Sequence, residues 1–598
     1  MTAFAADNEL PPVVVTATRT AQTVDETLAS VTVITRADIE RKQARSVEEI
    51  LGGIEGISIA NTGGRGKQTS LFMRGASSTQ VLVLIDGIKA GSPTTGQMAF
   101  QDLPVELIDR IEIVRGPRSS LYGSEAIGGV IQIFTKKGGG ALTPSFSLGG
   151  GSLRTGQATA GLSGGGDRGW FNIGVSGFST RGFDACRGRS SPFAGCGTEE
   201  PDRDGYRNIA GTLRGGFRFN ERIEAEVHGM HAEGRNKYDG FFNESHVAQQ
   251  VFGTRVRITP INPWQLNFSA GRRTDNSDNF KDGAFKSRFN TQRDTLALQS
   301  DLTVEKRQLL TLGIDHQQDR VTESTDAFSV RSRENRGLFA QYQIGVGQFD
   351  LQGSARHDDN EQFGSYNTGA LAWGYAVTSG LRMVASHGTA FKAPTFNDLY
   401  FNDGFFTGNP NLRPERSRTT EAGLRGTPAW GRWSLNAFQT EIRDLIITTP
   451  SFTTAQNLDE ARIQGAEFAL VTRVGAWEFA TQVTALRPEN ATPGANEGKI
   501  LPRRSQRSAR IDIDRRFGAH RIGLSVFGDA KRFDDAANTT ELGGYALLDL
   551  RWEYAFAKDW RLQARGANLL DKRYETTAFY NQPGRAFFLT ARYQLSRP

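Results

Sequence analysis

The sequence predicts a mostly β protein in which a large antiparallel transmembrane β-barrel follows a small mixed α/β domain. Three observations support this fold class. Residues 141–598 alternate between apolar and polar side chains, whereas residues 7–140 do not. No run approaches the ~18 continuous apolar residues of a membrane helix. The 68 Gly and the aromatic share of 10% are typical of many twisted strands with aromatic girdles.

The alternation is clear after Trp264, where Leu266 and Phe268 share one predicted face with Trp264 and where Gln265 and Asn267 occupy the other. A soluble sandwich also alternates. Charged side chains on one face and Trp at strand ends on the other favour a wet lumen and a lipid interface. With ~9–11 residues per membrane strand, the region would hold on the order of twenty strands. Long polar segments are expected to be extracellular loops, namely 182–206, 274–292 and 398–415.

The N-terminal region carries alternating helix and strand signals. Thr35 and Ser46 each precede an acidic residue by three positions, which predicts two capped helix starts. The apolar run 81–85 predicts a strand that is buried on both faces. Three consecutive glycines at 138–140 mark the boundary with the barrel.

Net charge and cysteine content constrain the class of protein further. The net charge is +6, acidic and basic residues are both abundant, and the basic residues form no dense cluster. The charge therefore does not indicate binding to nucleic acid. Cys186 and Cys196 lie in one polar segment and predict a local disulfide in an oxidising compartment. Two unpaired loop thiols or a metal half-site are the alternatives. Residues 1–6 are expected to be the end of a cleaved secretory signal.

Eight motifs are spread over nearly the whole chain, at 72–75, 81–87, 111–123, 126–136, 391–394, 409–415, 461–467 and 568–574. Together they resemble the motifs of the TonB-dependent outer-membrane receptors. The resemblance implies a barrel of about 22 strands with the N-terminal domain as a plug inside the lumen. It implies a bacterial outer-membrane location and a transport receptor rather than an enzyme. No G-x-S-x-G elbow precedes a helix.

The family layout divides the chain into a signal remnant (1–6), a TonB box with linker (7–25), a plug (26–139) and a barrel (140–598). The box is an extended segment that TonB can capture by strand addition. The resemblance also implies that Arg74 and Arg115 of the plug pair with Glu421 and Glu467 of the barrel. The box residues are Pro12, Val13, Val14, Val15, Thr16 and Ala17.

Within the family, the chain is most similar to the cobalamin receptors, which implies active transport of cobalamin or a related corrinoid. Calcium is implied as a cofactor held by loop carboxylates, although acidic side chains on loops are usually just solvated. The implied calcium ligands are Asp184, Asp202, Asp204, Glu233 and Asp239. The implied substrate contacts are Thr62, Gln68, Thr69, Ser70, Thr95 and Gly96.

A ferric siderophore or haem is the alternative ligand. Haem needs an axial ligand such as His or Tyr, and none of the seven His lies between 391 and 409. The expected partners are TonB with its inner-membrane energising complex, a small ligand, and outer-membrane lipid and lipopolysaccharide. We expect a monomer without nucleic acid or a catalytic cofactor.

Overall fold

The computed structural model describes residues 14–15, 19–20, 22–186, 196, 200–449 and 453–595. Of the proposed TonB box, Val14 and Val15 fall within these ranges. Pro12, Val13, Thr16 and Ala17 lie outside them, as does the expected signal remnant 1–6.

The N-terminal domain is a small mixed α/β unit, as predicted. Its central sheet has the strand order β3-β8-β9-β6-β7, in which β6 and β9 are parallel and the other pairs are antiparallel. The strands described before residue 140 are β1 (Val14–Val15), β2 (Gln22–Thr23), β3 (Val31–Ile34), β4 (Ile57–Asn61), β5 (Thr69–Met73), β6 (Val81–Ile85), β7 (Ile88–Lys89), β8 (Ile108–Arg115) and β9 (Gly129–Thr135). The helices are α1 (Arg36–Lys42), α2 (Val47–Leu51) and α3 (Ser119–Tyr122), with 3-10 turns at Ser78–Gln80, Phe100–Asp102 and Val105–Leu107.

Both predicted helix starts are confirmed. The Thr35 side chain accepts a hydrogen bond from the backbone N–H of Asp38, and the Asp38 carboxylate accepts one from the N–H of Thr35, which forms a capping box at α1. Ser46 caps α2 by accepting from the N–H of Glu49. Every residue of β6 is buried, as the continuous apolar run predicts.

Across the described residues, 22 antiparallel strands close into a barrel, and β10 pairs with β33 to complete the ring. The barrel strands are β10 (Thr143–Gly151), β11 (Thr155–Gly165), β12 (Gly169–Thr180), β13 (Tyr206–Asn220), β14 (Ile223–Lys237), β15 (Glu244–Ile261), β16 (Trp264–Lys281), β17 (Ala284–Glu305), β18 (Gln308–Ser324), β19 (Ser332–Val346), β20 (Phe349–Asn360), β21 (Gly364–Thr378), β22 (Leu381–Lys392), β23 (Glu415–Gly426), β24 (Gly431–Thr448), β25 (Ala455–Val474), β26 (Trp477–Asn490), β27 (Arg507–Phe517), β28 (His520–Asp529), β31 (Tyr545–Ala557), β32 (Trp560–Ala567) and β33 (Ala586–Gln594). Outside the ring lie the hairpin β29 (Arg532–Phe533) and β30 (Glu541–Leu542), helix α4 (Phe396–Tyr400) and a 3-10 turn at Ser152–Arg154.

The barrel strands present apolar side chains outwards and charged side chains to the lumen. Ile209 and Leu371 are 72% and 71% exposed, whereas Arg293 and Arg356 are 1% and 3% exposed. Trp264, Trp477 and Trp560 each begin a strand that only two residues separate from the preceding strand. This arrangement is typical of an aromatic girdle at the short-turn end of a membrane barrel.

The plug fills the lumen. Its largest apolar cluster includes Met230 of β14 and Val251 of β15 among its buried residues. A second cluster joins Leu121 and Tyr122 of α3 to Phe339 of β19. Among the described residues, every helix is too short or too polar to cross a membrane.

The prediction of a loop at 274–292 is wrong. This segment forms the ends of β16 and β17, which run for 18 and 22 residues and are separated by Asp282 and Gly283. Both strands are longer than the ~9–11 residues that a membrane requires. Strand ends beyond the membrane meet water on the outside, so their sequence is polar on both faces and resembles that of a loop.

Candidate functional site

The plug is fixed to the barrel wall by buried ion pairs. Arg74 lies between two barrel carboxylates, with guanidinium-to-carboxylate distances of 2.7 Å to Glu421 and 2.7 Å to Glu467. Arg115 lies 3.3 Å from Glu467 and 2.8 Å from Glu55 of the plug. Arg74 has a positive φ of 50° in the turn that precedes Gly75, and this turn directs its side chain towards β23 and β25.

Three aspartates from two barrel loops converge at the extracellular end of the barrel: Asp184 and Asp204 lie between β12 and β13, and Asp239 lies between β14 and β15. Carboxylate oxygens of Asp184, Asp204 and Asp239 all lie within 4.8 Å of one another, and we call these residues the acidic cluster. Among the described residues, neither carboxylate oxygen of Asp239 has a hydrogen-bond partner, although the residue is only 5% exposed. The position of Asp204 is fixed because its Oδ2 accepts from the N–H of Ala185 at 2.8 Å.

The electrostatics of the acidic cluster are those of buried carboxylates that also lie beside like charges. Burial, followed by the carboxylates of Asp204 and Asp184, raises the pKa of Asp239 to about 7. Burial likewise raises the pKa of Asp204 to about 6. Groups in this state bind either a proton or a cation to relieve the repulsion.

Two of the proposed calcium ligands are not brought into the acidic cluster. Asp202 is exposed and precedes Asp204 by two residues. Glu233 lies on the outward face of β14, where it pairs with Ile209 of β13 and contacts His231 at 2.9 Å. Because strand side chains alternate, Glu233 points away from the lumen that Ala232 and Gly234 face.

The cysteine segment adjoins the acidic cluster. Cys186 and Cys196 form a disulfide with a Cα–Cα distance of 5.8 Å. This bond excludes the alternatives of two unpaired thiols and a metal half-site. Cys186 also makes a β-bridge to Tyr580, so the segment that carries Asp184 is attached to the loop that precedes β33.

The plug presents two loops at its extracellular apex. In the first, residues 62–68, Gln68 is exposed and Thr62 is half-buried. In the second, residues 92–97, Thr95 is exposed. Of the other proposed substrate contacts, Ser70 is half-buried, Thr69 is buried, and a Cβ at Gly96 would lie 2.8 Å from Cγ2 of Thr395. Gln68 and Thr95 are therefore the proposed contacts that are most open to a ligand.

A barrel loop that begins with α4 covers the second apex loop. The backbone N–H groups of Phe396 and Asn397 donate to the carbonyls of Pro93 and Thr94 at 3.3 and 3.1 Å. Phe401 in this loop packs against Phe289, with ring centroids 5.7 Å apart. Sequence reasoning missed this aromatic contact because its members are far apart in the chain.

Sequence reasoning also missed Lys67, because the residues around it form an ordinary polar, glycine-rich turn. Lys67 is 1% exposed. Its ammonium donates to the backbone carbonyl of Asp204 at 3.1 Å and to Oδ1 of Asn236 at 2.7 Å. A plug cation thus lies beside the acidic cluster of the barrel loops.

The N-terminal segment is held at the opposite end of the plug. Val14 and Val15 pair with Thr23 and Gln22 in a two-stranded antiparallel sheet. Arg19 extends into the lumen, where its guanidinium lies 3.4 Å from Asp315. The described part of the proposed TonB box, Val14 and Val15, is therefore already paired as a strand.

Curated relatives and solved structures resemble this architecture. The chain is 32% identical over 603 residues to the vitamin B12 transporter BtuB of Photobacterium profundum, and this alignment covers 99% of this chain and 97% of the relative. It is 32% identical to the vitamin B12 transporter BtuB of Vibrio cholerae, with coverages of 98% and 96%. Two solved structures share the fold: the ferric enterobactin receptor PfeA of Pseudomonas aeruginosa (TM-score 0.82, 18% identity, 98% and 100% covered) and the siderophore receptor PirA of Acinetobacter baumannii (TM-score 0.80, 17% identity, 94% and 98% covered).

Family models match both domains. The model described as TonB dependent receptor-like, beta-barrel matches residues 142–569, and the TonB-dependent Receptor Plug Domain matches residues 23–130. The chain belongs to the TonB-dependent receptors and is an integral protein of the outer membrane, with TonB as its partner and a small molecule as its ligand.

Proposed function

We propose that this receptor imports cobalamin or a related corrinoid across the outer membrane with energy delivered by TonB. The observation that carries the proposal is the full-length similarity, at 32% identity over 99% of the chain, to curated vitamin B12 transporters. The solved siderophore receptors are less than 20% identical to this chain and indicate only the fold.

The two apex loops of the plug, 62–68 and 92–97, and the barrel loop that covers the second one are suited to such a ligand. Gln68 and Thr95 offer small polar groups that can hydrogen-bond the amides around a corrin ring. The side chain of Phe405 is 51% exposed in the loop that covers the second apex loop, and it can cover an apolar ring edge.

Calcium is proposed as the ion for the acidic cluster. Calcium takes ~6–8 oxygen ligands from carboxylates, backbone carbonyls and water. Asp239 supplies two buried oxygens without hydrogen-bond partners among the described residues, and Asp204 supplies one. The ion would offset the repulsion among the carboxylates and would stabilise the loops that enclose the ligand.

TonB is proposed to add its own strand to the segment around Val14 and Val15. Since that segment pairs with β2, capture requires the β1–β2 pairing to open. Pulling on the linker then displaces the plug, whose contacts with the wall include the ion pairs of Arg74 and Arg115.

We further propose that the receptor works as a monomer in contact with outer-membrane lipid and lipopolysaccharide, without enzymatic activity.

A calorimetric titration tests the ligand. The detergent-purified protein should bind cyanocobalamin, and a calcium chelator should weaken the binding at least several-fold. A ferric catecholate siderophore, titrated in parallel, should show no binding. Binding of the siderophore in place of cyanocobalamin would refute the proposal in favour of the alternative ligand.

A further inference from the structure

The apex loop, residues 62–68, is packed directly against the wall that carries the acidic cluster. A Cβ at Gly63 would lie 2.3 Å from Cβ of Ala185, and a Cβ at Gly66 would lie 2.1 Å from the ring of Tyr206. Both glycines have positive φ, 117° and 81°. The loop therefore has no space to shift towards the wall, and a displacement of the wall towards the plug would push the loop with it.

The loop has two charged residues, Arg65 and Lys67, and the side chain of Lys67 hydrogen-bonds to the backbone of Asp204 in the acidic cluster. The Lys67 side chain leaves the apex loop, enters the wall and ends between the carbonyl of Asp204 and the amide oxygen of Asn236. Both acceptors are neutral, so these hydrogen bonds do not neutralise the ammonium. The compensating negative charge comes from Asp204 and Asp239 of the acidic cluster and from the nearby Asp202.

The acidic cluster does not depend on Lys67 for its geometry. The backbone N–H of Asp204 donates to the carbonyl of Phe183 at 3.1 Å, and Oδ2 of Asp204 accepts from the N–H of Ala185. Removing the ammonium would therefore change the charge at the acidic cluster more than it changes the position of Asp204.

We infer that Lys67 is a tethered cation of the plug that competes electrostatically with a divalent cation at the acidic cluster and thereby couples cation binding to the position of the apex loop. A divalent ion among the three carboxylates repels the ammonium, and the ammonium in turn lowers the affinity for the ion. Such coupling is reciprocal. Gln68 is the exposed neighbour of Lys67 and a proposed ligand contact, so a change in the position of the apex loop would also change ligand binding. This inference rests on the proposed cation site.

Calcium binding to the full chain, measured by calorimetry without any corrinoid, tests the inference. Lys67→Met should bind Ca²⁺ roughly ten-fold more tightly than the wild type, because a like charge is removed from a poorly solvated site. Lys67→Arg, which keeps the charge, should stay close to the wild type. Lys89→Met is the matched control: Lys89 is a plug lysine near Glu125 and Asp315, away from the acidic cluster.

Amide hydrogen exchange supplies a second measurement, and a general loss of stability would not by itself change how it responds to calcium. Calcium should alter amide exchange in residues 62–68 of the wild type, and Lys67→Met should reduce that change. Equal or weaker Ca²⁺ binding by Lys67→Met, beside a wild type that binds, overturns this inference and leaves the cation site intact. Absence of Ca²⁺ binding by both proteins overturns the cation site together with the inference.

Discussion

Asp102 shows how a single plug carboxylate can make seating of the plug depend on pH. It is 3% exposed at the end of a 3-10 turn. Its Oδ1 accepts from the Tyr206 hydroxyl at 2.7 Å, and its backbone carbonyl accepts from Nδ2 of Asn208 at 3.2 Å. Burial raises the pKa of Asp102 from 3.8 to about 7.

We expect Asp102→Asn to remove part of the pH dependence of stability. Because the folded pKa is raised, the folded protein keeps a proton that the unfolded chain loses above about pH 4. The stabilisation is full below that pH and is lost as the pH rises through about 7, by up to ~4 kcal/mol. Thermal unfolding of the purified protein at pH 5 and pH 8 measures this. The wild type should lose more stability between the two values than Asp102→Asn.

The control for that measurement is Asp109→Asn, because Asp109 is a plug carboxylate whose side chain is 41% exposed. Asp109→Asn should retain the wild-type pH dependence. Identical pH profiles for the wild type and Asp102→Asn would show that Asp102 is ionised in the folded plug and would contradict the prediction.

Single residues also mark where sequence reasoning stops. Asp184, Asp204 and Asp239 were predicted as one site from a resemblance, and the structure brings them together. Lys67 carried no signal, because a lysine in a glycine-rich turn is ordinarily solvated. Its role depends on a wall more than a hundred residues away in the chain, and a local pattern cannot report such a contact.

At the scale of elements, the periodicity of the sequence predicts which side chains of a strand face the lipid and which face the lumen, but it does not predict where the strand ends. The alternation around Trp264 correctly predicts a membrane strand, whereas the polar segment 274–292 predicts a loop and instead forms the ends of β16 and β17. Hydropathy changes where the membrane ends, and hydrogen bonding between β16 and β17 continues to Lys281 and Ala284. Glu233 also lies towards the end of its strand, and the alternation of side chains along β14 directs it outwards, away from the acidic cluster.

The strand β1 is the element on which energy input is proposed to act. Val15→Pro should abolish uptake of labelled cyanocobalamin by cells while leaving binding to the purified receptor unchanged. Proline removes the backbone donor that an added strand needs. Val15→Thr, which keeps a β-branched side chain, is the control and should transport normally. Uptake by Val15→Pro at the wild-type rate would exclude strand addition at this position.

At the scale of the whole molecule, the receptor is a barrel whose lumen is filled by a domain that must stay seated and yet be movable. An apolar seal alone would give no directional contacts between the plug and the wall. Buried ion pairs give register, because Arg74 can meet Glu421 and Glu467 together only in one position. Their net contribution to stability is modest, but removing one partner is costly because a buried charge is left without compensation.

Glu467→Gln should therefore loosen the plug without opening the barrel. Among the described residues, the substitution leaves Arg74 with only Glu421, and Arg115 with only Glu55, as carboxylate partners. We expect the plug to lose about 3 kcal/mol, seen as faster amide exchange and proteolysis in residues 26–139 while strand content stays constant by circular dichroism. Glu441→Gln, which breaks the outward-facing pair with Arg418 at 2.8 Å, should cost less than about 1 kcal/mol. Equal plug protection in the two variants would mean that apolar packing, such as that of Met230 against the plug, seats the plug without help from the ion pairs.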